Sequence, residues 1–271
     1  MSFKNILPFL IISLAVLTSA ATVDTVMIFS ASMRKPIPNI VIRPDSYQKT
    51  DKKFSSVYLL HGAGGKYTSW LTKVPELVRY ADAYDIIIIC PDGSVTSWYF
   101  DSPVDSTMKY ETYVASELVR YIDSSYKTYN DKKHRAIAGL SMGGHGALYL
   151  SMRHQDMFGT AGSMSGGVDI RPFTSKWDLE LRLGTYSQHP DNWNKNTVAN
   201  MLHLLKGSSL RLIIDCGVDD FFYDINKKLH ADMVDNKIPH DYIERPGAHT
   251  WDYWRNSVKY QLLFFNEYFK N

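Results

Sequence analysis

A short glycine-rich stretch, residues 134–150 (HRAIAGLSMGGHGALYL), contains the residue types best suited to nucleophilic chemistry. Its centre, residues 139–143, fits G-x-S-x-G, in which a serine occupies a sharp turn between a strand and a helix. Glycines two residues either side of Ser141 leave room for that strained turn. The pattern predicts Ser141 as an exposed nucleophile, and the alternative is a small-residue turn that matches by accident.

A nucleophilic serine needs a base within hydrogen-bond reach, because its hydroxyl is a poor nucleophile at neutral pH. After this type of turn the chain order is serine, acid, histidine. His249 lies in the loop RPGAHTW, between a predicted strand and the last predicted helix, and is the best candidate base. His145, on the helix after the serine, and His230, inside another predicted helix, are expected to be structural or surface residues.

The acid that orients the base is expected after the penultimate strand, where residues 215–220 read DCGVDD. Asp215 is still on the predicted strand. Asp219 and Asp220 lie on the loop that follows, at the carboxyl edge of the sheet, where ligands gather in open α/β sheets. A solvated acidic turn is the alternative for either residue alone, and position by itself leaves both candidates open.

Stabilisation of an oxyanion requires two backbone N–H groups that point at one position. The residue after the nucleophile, Met142, supplies one candidate, and Ala63 in the loop HGAGG (residues 61–65) supplies the other. The glycine loop is a weak candidate for phosphate binding, because neither a Walker lysine nor dinucleotide spacing accompanies it. The histidines have no metal-ligand spacing, so neither a metal nor another cofactor is implied.

Candidate substrate-binding residues are the start of the glycine loop and several aromatic side chains. They are His61, Gly62, Trp70, Trp98, Tyr99 and Trp251. Aromatic faces at the mouth of a site suit sugar rings or a phenolic acid, although aromatic residues more often belong to the core. These residues are therefore candidates to contact a small-molecule or carbohydrate substrate.

Strand-like and helix-like segments alternate along the chain, which predicts an α/β fold with a mostly parallel sheet. An antiparallel pair of strands is expected first, with residues 35–38 as the turn. The expected strands are 24–33, 39–43, 56–60, 85–90, 135–138, 158–164, 210–215 and 242–244, and the expected helices are 70–83, 112–126, 144–152, 223–236 and 251–269. Residues 169–205 break the alternation and are expected to form an irregular or helical insertion over the site.

The composition is that of an ordinary globular protein, with 271 residues, 45% of them hydrophobic and 21% charged. A net charge of +2 without basic runs argues against nucleic acid or an anionic membrane surface as a partner. A homo-oligomer is compatible with the sequence.

Residues 1–21 combine Lys4, an apolar run and small residues at a potential cleavage site, which predicts a secretory signal peptide. A retained membrane anchor is the weaker interpretation, since the run is short and contains Pro8. The expected product is residues 22–271, one secreted or periplasmic catalytic domain that no longer contacts the membrane.

Two cysteines, Cys90 and Cys216, follow strand-like runs. In the expected sheet these strands are four steps apart, at about 4.8 Å a step, which exceeds the roughly 7 Å limit for a disulfide. We therefore predict two buried free thiols.

Several motifs together resemble the esterase D-like family of α/β-hydrolases, over nearly all of the chain after the signal segment. They are LLHGAGG with Trp70, IICPDG followed by Ser97, Trp98 and Tyr99, ELVRYIDSSYKT, RAIAGLSMGGHGAL, CGVDDF and PGAHTWDYW. The resemblance implies an α/β-hydrolase fold with Ser141 as nucleophile, His249 as base and Ala63 with Met142 as oxyanion hole. It also implies Asp220 as the acid, immediately before the apolar Phe221.

These observations predict a serine carboxylesterase that acts through an acyl-enzyme on short acyl or aryl esters, including acetyl or feruloyl esters of carbohydrates. One alternative is an acyltransferase to a sugar hydroxyl, and another is an inactive hydrolase fold used for binding. The export signal argues against a cytosolic S-formylglutathione hydrolase. The 169–205 segment matches no subgroup of the family, and mycolyl transfer is poorly supported.

Overall fold

Runs of apolar and β-branched residues form the central sheet of the computed structural model, which describes residues 21–271. Within these residues the order of the eight strands is β1-β2-β4-β3-β5-β6-β7-β8, with β1 and β2 antiparallel and the other six parallel to one another. The strands are β1 Thr22–Ser30, β2 Lys35–Arg43, β3 Ser55–Leu60, β4 Ile86–Pro91, β5 Arg135–Leu140, β6 Thr160–Met164, β7 Arg211–Gly217 and β8 Asp241–Arg245. The predicted mostly parallel α/β sheet is confirmed.

The helices cover both faces of the sheet, as the buried run of β4 (IIIICP) requires. They are α1 Ser69–Lys73, α2 Leu77–Tyr84, α3 Tyr110–Thr112, α4 Val119–Ser125, α5 Met142–Arg153, α6 Leu179–Leu183, α7 Pro190–Lys195, α8 Tyr223–Asp235 and α9 Trp251–Lys270, and a π-helical stretch, Tyr113–Leu118, joins α3 to α4. On one face α5 packs with α4 and α8, and on the other α2 packs with α9.

The opening strands form the predicted antiparallel pair, but the expected turn at residues 35–38 is wrong. These residues belong to β2, and the chain turns before them at Arg34, whose φ is 53°. Pro36 and Pro38 are tolerated because this part of β2 pairs only with β1, and pairing with β4 begins at Asn39. Proline has no backbone N–H, and on the unpaired side of a strand no neighbouring strand requires that donor.

The insertion of residues 169–205 has the expected irregular and helical character. It contains the short helices α6 and α7 and is anchored by Trp193, which is fully buried and donates its indole N–H to the Gly184 carbonyl at 2.8 Å. Arg182 and Asp178 bind the loop after β4, through Asp105 at 3.0 Å and Thr96 at 2.8 Å respectively. These contacts fix the insertion against the edge of the sheet at which the site forms.

The two cysteines are buried free thiols, as predicted. Cys90 is on β4 and Cys216 on β7, with three strands between them. Burial raises the pKa of the Cys90 thiol to about 12, so this thiol is not a reactive thiolate.

Residues 1–20 of the predicted signal segment, 1–21, lie outside the described part of the chain. Among the helices of residues 21–271, none combines the length and the apolar character needed to span a bilayer.

A buried carboxylate, Asp215 near the end of β7, connects three elements that frame the site. Its side chain is fully buried and forms an ion pair with Arg245 at the end of β8. It also accepts hydrogen bonds from Tyr253 and, at 2.9 Å, from Ser257, both on α9. Because the loop that carries His249 runs from β8 to α9, Asp215 holds both ends of that loop.

We expect Asp215→Ala to lower the free energy of unfolding by about 3–5 kcal/mol, because it leaves the Arg245 charge partly buried without its partner. Asp232→Ala is the matched control, since it removes an exposed ion pair with Lys228 and is expected to change stability by about 0.5 kcal/mol or less. Urea unfolding measures both. An equally small decrease in the free energy of unfolding in both variants would contradict the assigned role of Asp215.

Candidate active site

The backbone of Ser141, between β5 and α5, is held in a rare conformation with φ 55° and ψ −118°. Its N–H donates to the Met164 carbonyl on β6 at 2.9 Å, and its carbonyl accepts from the N–H groups of His145 at 3.0 Å and Gly167 at 3.3 Å. Three separate segments therefore hold the strained residue, and its side chain projects at the carboxyl edge of the sheet.

The two glycines of the G-x-S-x-G pattern are required by close backbone packing. A Cβ on Gly139 would lie 2.3 Å from the Gly143 carbonyl oxygen, and one on Gly143 would lie 2.5 Å from the Leu60 carbonyl oxygen. Both separations are far inside van der Waals contact with backbone atoms that cannot move aside. The turn therefore requires glycine at both positions, 139 and 143.

Three side chains from distant parts of the chain form a continuous series of hydrogen bonds. His249 Nε2 lies 2.9 Å from Ser141 Oγ, and His249 Nδ1 lies 2.9 Å from each carboxylate oxygen of Asp220. The Asp220 side chain is fully buried and that of His249 is 15% exposed. With Nδ1–H donating to Asp220, Nε2 is left to accept the serine proton.

Asp220 and its neighbour Asp219 have different partners in the structure. Asp220 also accepts from the Phe222 N–H at 2.8 Å, which fixes the orientation of its carboxylate. Asp219 is exposed, and its carboxylate accepts from the Gly247 N–H at 3.3 Å. Asp219 therefore contacts the backbone of the loop that carries His249 rather than the imidazole itself.

Aromatic rings surround the imidazole of His249. The ring centroids of Phe221, Trp254 and Phe222 lie 4.1, 4.8 and 5.4 Å from its own. Low polarity on these sides strengthens the hydrogen bond between imidazole and carboxylate by excluding competing water.

Met142 and the glycine loop that carries Ala63, expected to supply an oxyanion hole, both lie next to Ser141. Met142 is the first residue of α5, where N–H groups have no partner within the helix and the helix dipole is positive. A Cβ on Gly62, the residue before Ala63, would lie 3.2 Å from the Ser141 Cβ, so the glycine loop packs directly against the serine.

His61 and Tyr99, expected to bind substrate, are instead buried framework residues, with 1% and 0% exposure. His61 Nδ1 donates to the Gly62 carbonyl at 2.8 Å, and its Nε2 accepts from the Gly93 N–H at 2.8 Å. Burial lowers the pKa of His61, so the ring stays neutral. The Tyr99 hydroxyl donates to the His61 carbonyl at 3.1 Å, so together these residues fix the glycine loop.

Trp70 and Trp98 are each only 1% exposed, so the expectation that they line the mouth of the site is also wrong. Their indole N–H groups donate to backbone carbonyls, at 2.9 Å to Leu60 and 3.2 Å to Trp177. These rings fill the core because large aromatic surfaces gain most from burial. Trp251 differs, since it is partly exposed at the start of α9 and packs edge-on against Trp70.

His145 is a buried structural residue, as expected. Its Nδ1 lies 3.1 Å from the Trp98 carbonyl and its Nε2 2.9 Å from the Asn196 carbonyl, so neither nitrogen faces Ser141. Burial lowers the pKa of His145 to about 4. The ring is therefore neutral near pH 7.

Two aromatic residues, the exposed Phe221 next to His249 and the partly exposed Trp177, were not among the candidate substrate-binding residues identified from the sequence. Phe221 is 55% exposed, and its ring stacks on that of Trp177 in the insertion, with centroids 5.8 Å apart and planes 19° apart. We call these two residues the aromatic wall. Residue type alone does not distinguish them from buried aromatics, because exposure depends on how the insertion packs.

Among residues 21–271 no group of three or more histidine, cysteine, aspartate or glutamate side chains is arranged to hold a metal ion.

The strand order and the strained serine turn define an α/β-hydrolase fold. A solved ferulic acid esterase superposes with a TM-score of 0.79 at 28% identity, over 92% of this chain and 99% of that one. The family model described as "Putative esterase" matches residues 30–265. The chain belongs to this esterase family.

Two curated relatives agree with the family assignment. An acetyl esterase of Caldicellulosiruptor saccharolyticus is 25% identical over 251 residues, which cover 85% of this chain and 92% of the relative. An esterase of Mycobacterium tuberculosis is 32% identical over 238 residues, 78% of this chain and 52% of that protein. The chain is a carboxylic ester hydrolase.

Proposed function

We propose that the chain is a serine carboxylesterase that cleaves short acyl or aryl esters, including those linked to carbohydrates, through an acyl-enzyme on Ser141. The observation that carries the proposal is the series of 2.9 Å contacts from Ser141 through His249 to Asp220. This arrangement supplies a nucleophile, a base and an orienting acid in hydrogen-bond contact.

In the first half-reaction His249 Nε2 takes the proton of Ser141 as Oγ bonds to the ester carbonyl carbon. The carbonyl oxygen becomes an oxyanion, which accepts hydrogen bonds from the Ala63 and Met142 N–H groups. The Asp220 carboxylate stabilises the imidazolium. Collapse of the intermediate breaks the bond to the alcohol, which leaves with the proton from His249.

In the second half-reaction a water molecule gives a proton to His249 and attacks the acyl carbon. The intermediate then breaks its bond to Ser141 Oγ, which regains the proton, and the free acid leaves. Hydrolysis is proposed in preference to transfer onto a sugar hydroxyl, since the relatives described above are named as esterases.

The aromatic wall of Trp177 and Phe221 supports a small or flat acyl group as the substrate. Phe221 lies next to the base and is open to solvent, so an acyl group on Ser141 would meet its ring. Relatives named as an acetyl esterase and a ferulic acid esterase support the same acyl classes. Trp251, partly exposed at the start of α9 two residues after His249, is proposed to contact the alcohol part.

The proposal includes export from the cytoplasm. The basic start, apolar run and small residues of segment 1–21 support a signal peptide, so that residues 22–271 act as one catalytic domain outside the cell or in the periplasm.

We expect Ser141→Ala to lower kcat by on the order of 10⁶, the loss seen when a triad serine is removed. An organophosphonate probe followed by peptide mass mapping is expected to label Ser141 in the parent chain. Ser187→Ala, at an exposed serine of the insertion, is the control and is expected to keep both labelling and turnover. Near-normal turnover by Ser141→Ala would refute the mechanism.

The acid is tested by comparing two adjacent substitutions. Asp220→Asn is expected to lower kcat by about 10⁴, because an amide cannot hold the imidazole in the required tautomer or stabilise its charge. Asp219→Asn is expected to lose less than about tenfold, since the amide oxygen still accepts from the Gly247 N–H. Circular dichroism checks folding, and the reverse ranking would move the acid to Asp219.

The aromatic wall is tested with nitrophenyl acetate, longer nitrophenyl esters and methyl ferulate. Phe221→Ser is expected to raise KM for methyl ferulate by about two- to tenfold, the equivalent of one lost aromatic contact, and to change KM for the acetate little. Because Phe221 also shields His249, any fall in kcat is expected to be shared by both substrates. Val218→Ser, also exposed on this loop, is the control. A parent enzyme that prefers long acyl chains would contradict the proposed substrate class.

A further inference from the structure

A second concavity lies along the carboxyl half of α5, away from the serine. Its volume is about 960 Å³, within the usual range for ligand-binding clefts. It is bounded by the start of the helical segment after Tyr110, by Tyr149 and Arg153 on α5, and by α7 of the insertion. Tyr149 is eight residues beyond Ser141, about 12 Å along the helix axis. We call this concavity the flank cleft.

The floor of the flank cleft contains a buried carboxylate, Glu111. It accepts hydrogen bonds from Tyr149, Arg153 and His154, each at 2.8 Å. Burial raises the pKa of Glu111, but the hydrogen bonds from His154, Arg153 and Tyr149 outweigh that effect and lower the pKa to about 2. Glu111 is therefore ionised and can only accept hydrogen bonds.

The floor has more acceptor oxygens than protons to satisfy them. The single hydroxyl proton of Tyr149 faces both Glu111 Oε2 at 2.8 Å and Asn196 Oδ1 at 3.0 Å. The orientation of the Asn196 amide is fixed, because its Nδ2 donates to the Asn192 carbonyl at 2.7 Å. Asn196 is 9% exposed, so one acceptor at the floor is left to bind a donor supplied by a ligand.

The rim supplies donors of its own. Arg153 is exposed and uses Nε for Glu111, while no described residue accepts from its two terminal nitrogens. Asn194 and Asn200 add side-chain amides, which both donate and accept. A ligand that fits these walls must carry groups that also donate and accept.

The charges and surfaces of the cleft narrow the class of ligand. Its walls carry three carboxylates, Asp101, Glu111 and Asp191, against two fixed cations, Arg153 and Lys195, so an anionic ligand gains little. Among the described residues that line it, Tyr149 is the only tyrosine, phenylalanine or tryptophan, and it is 2% exposed. A neutral, elongated molecule with several hydroxyl groups fits this lining best, because each hydroxyl can donate to the acceptor oxygens and accept from the donors of the cleft.

We propose that the flank cleft binds a neutral oligosaccharide. A sugar hydroxyl donates to the acceptor oxygens of Glu111 and Asn196 at the floor, and other hydroxyls accept from Arg153 at the rim. The site extends the proposed function, because a carbohydrate-linked ester would bring such a chain to the enzyme. Glycan binding here does not require Ser141, so the two proposals are separately testable.

The test measures binding of an unesterified neutral xylo-oligosaccharide to the full-length Ser141→Ala chain by titration calorimetry. Asn194→Trp, added to that chain, fills the cleft and is expected to weaken binding by at least about tenfold, since it blocks the floor hydrogen bonds. Lys259→Trp places the same side chain on the exposed face of α9 and is expected to leave binding unchanged.

The same tryptophan variants on the Ser141 background are expected to hydrolyse nitrophenyl acetate at the parent rate, which shows that they fold. Absence of oligosaccharide binding by the Ser141→Ala chain overturns the proposal, as does unchanged binding by Asn194→Trp, which would place the sugar elsewhere. Tighter binding of an oligogalacturonate overturns the neutral-ligand assignment. If the parent chain does not hydrolyse nitrophenyl acetate at all, the proposed function is refuted instead.

Discussion

The conformation of Ser141 costs a residue with a side chain on the order of 1–3 kcal/mol, and the packing around it must offset that cost. Strand β6 accepts from its N–H, α5 and the loop after β6 donate to its carbonyl, and glycine on either side allows the backbones to touch. The position of Ser141 therefore depends on β3, β5, β6 and α5 together. A rigid sheet edge aims the hydroxyl more accurately than a free loop would.

The other half of the site is fixed from the far end of the sheet. Asp220 follows β7, and His249 lies between β8 and α9. The buried Asp215 binds Arg245 on one side of the His249 loop and Tyr253 on the other, so one charge positions both ends of the loop. Burial of this carboxylate is tolerated only because three partners satisfy it.

The sequence alone predicted the fold class, which the structure confirms, and the chain order of the candidate site residues. Alternation of buried strand runs with helical segments indicates a parallel sheet, and that topology places the loops after β5, β7 and β8 at one edge. The G-x-S-x-G pattern around Ser141 is equally informative, because local steric limits permit few residue types in such a turn. His249 could be selected from nine histidines by its position, since its loop alone leads from a late strand to the final helix.

Only the tertiary structure decided which side chains reach the site and which fill the core. The family resemblance favoured Asp220 over its neighbour Asp219, but only the structure shows the turn after β7 directing Asp220 toward the imidazole and Asp219 toward Gly247. Trp98 and Phe221 are both aromatic, yet one is 1% exposed and the other 55%. The physical reason is that composition and periodicity report local conformation, whereas exposure and side-chain direction depend on contacts between segments distant in the chain, such as the 28 residues from Asp219 to Gly247 and the 108 from Ser141 to His249.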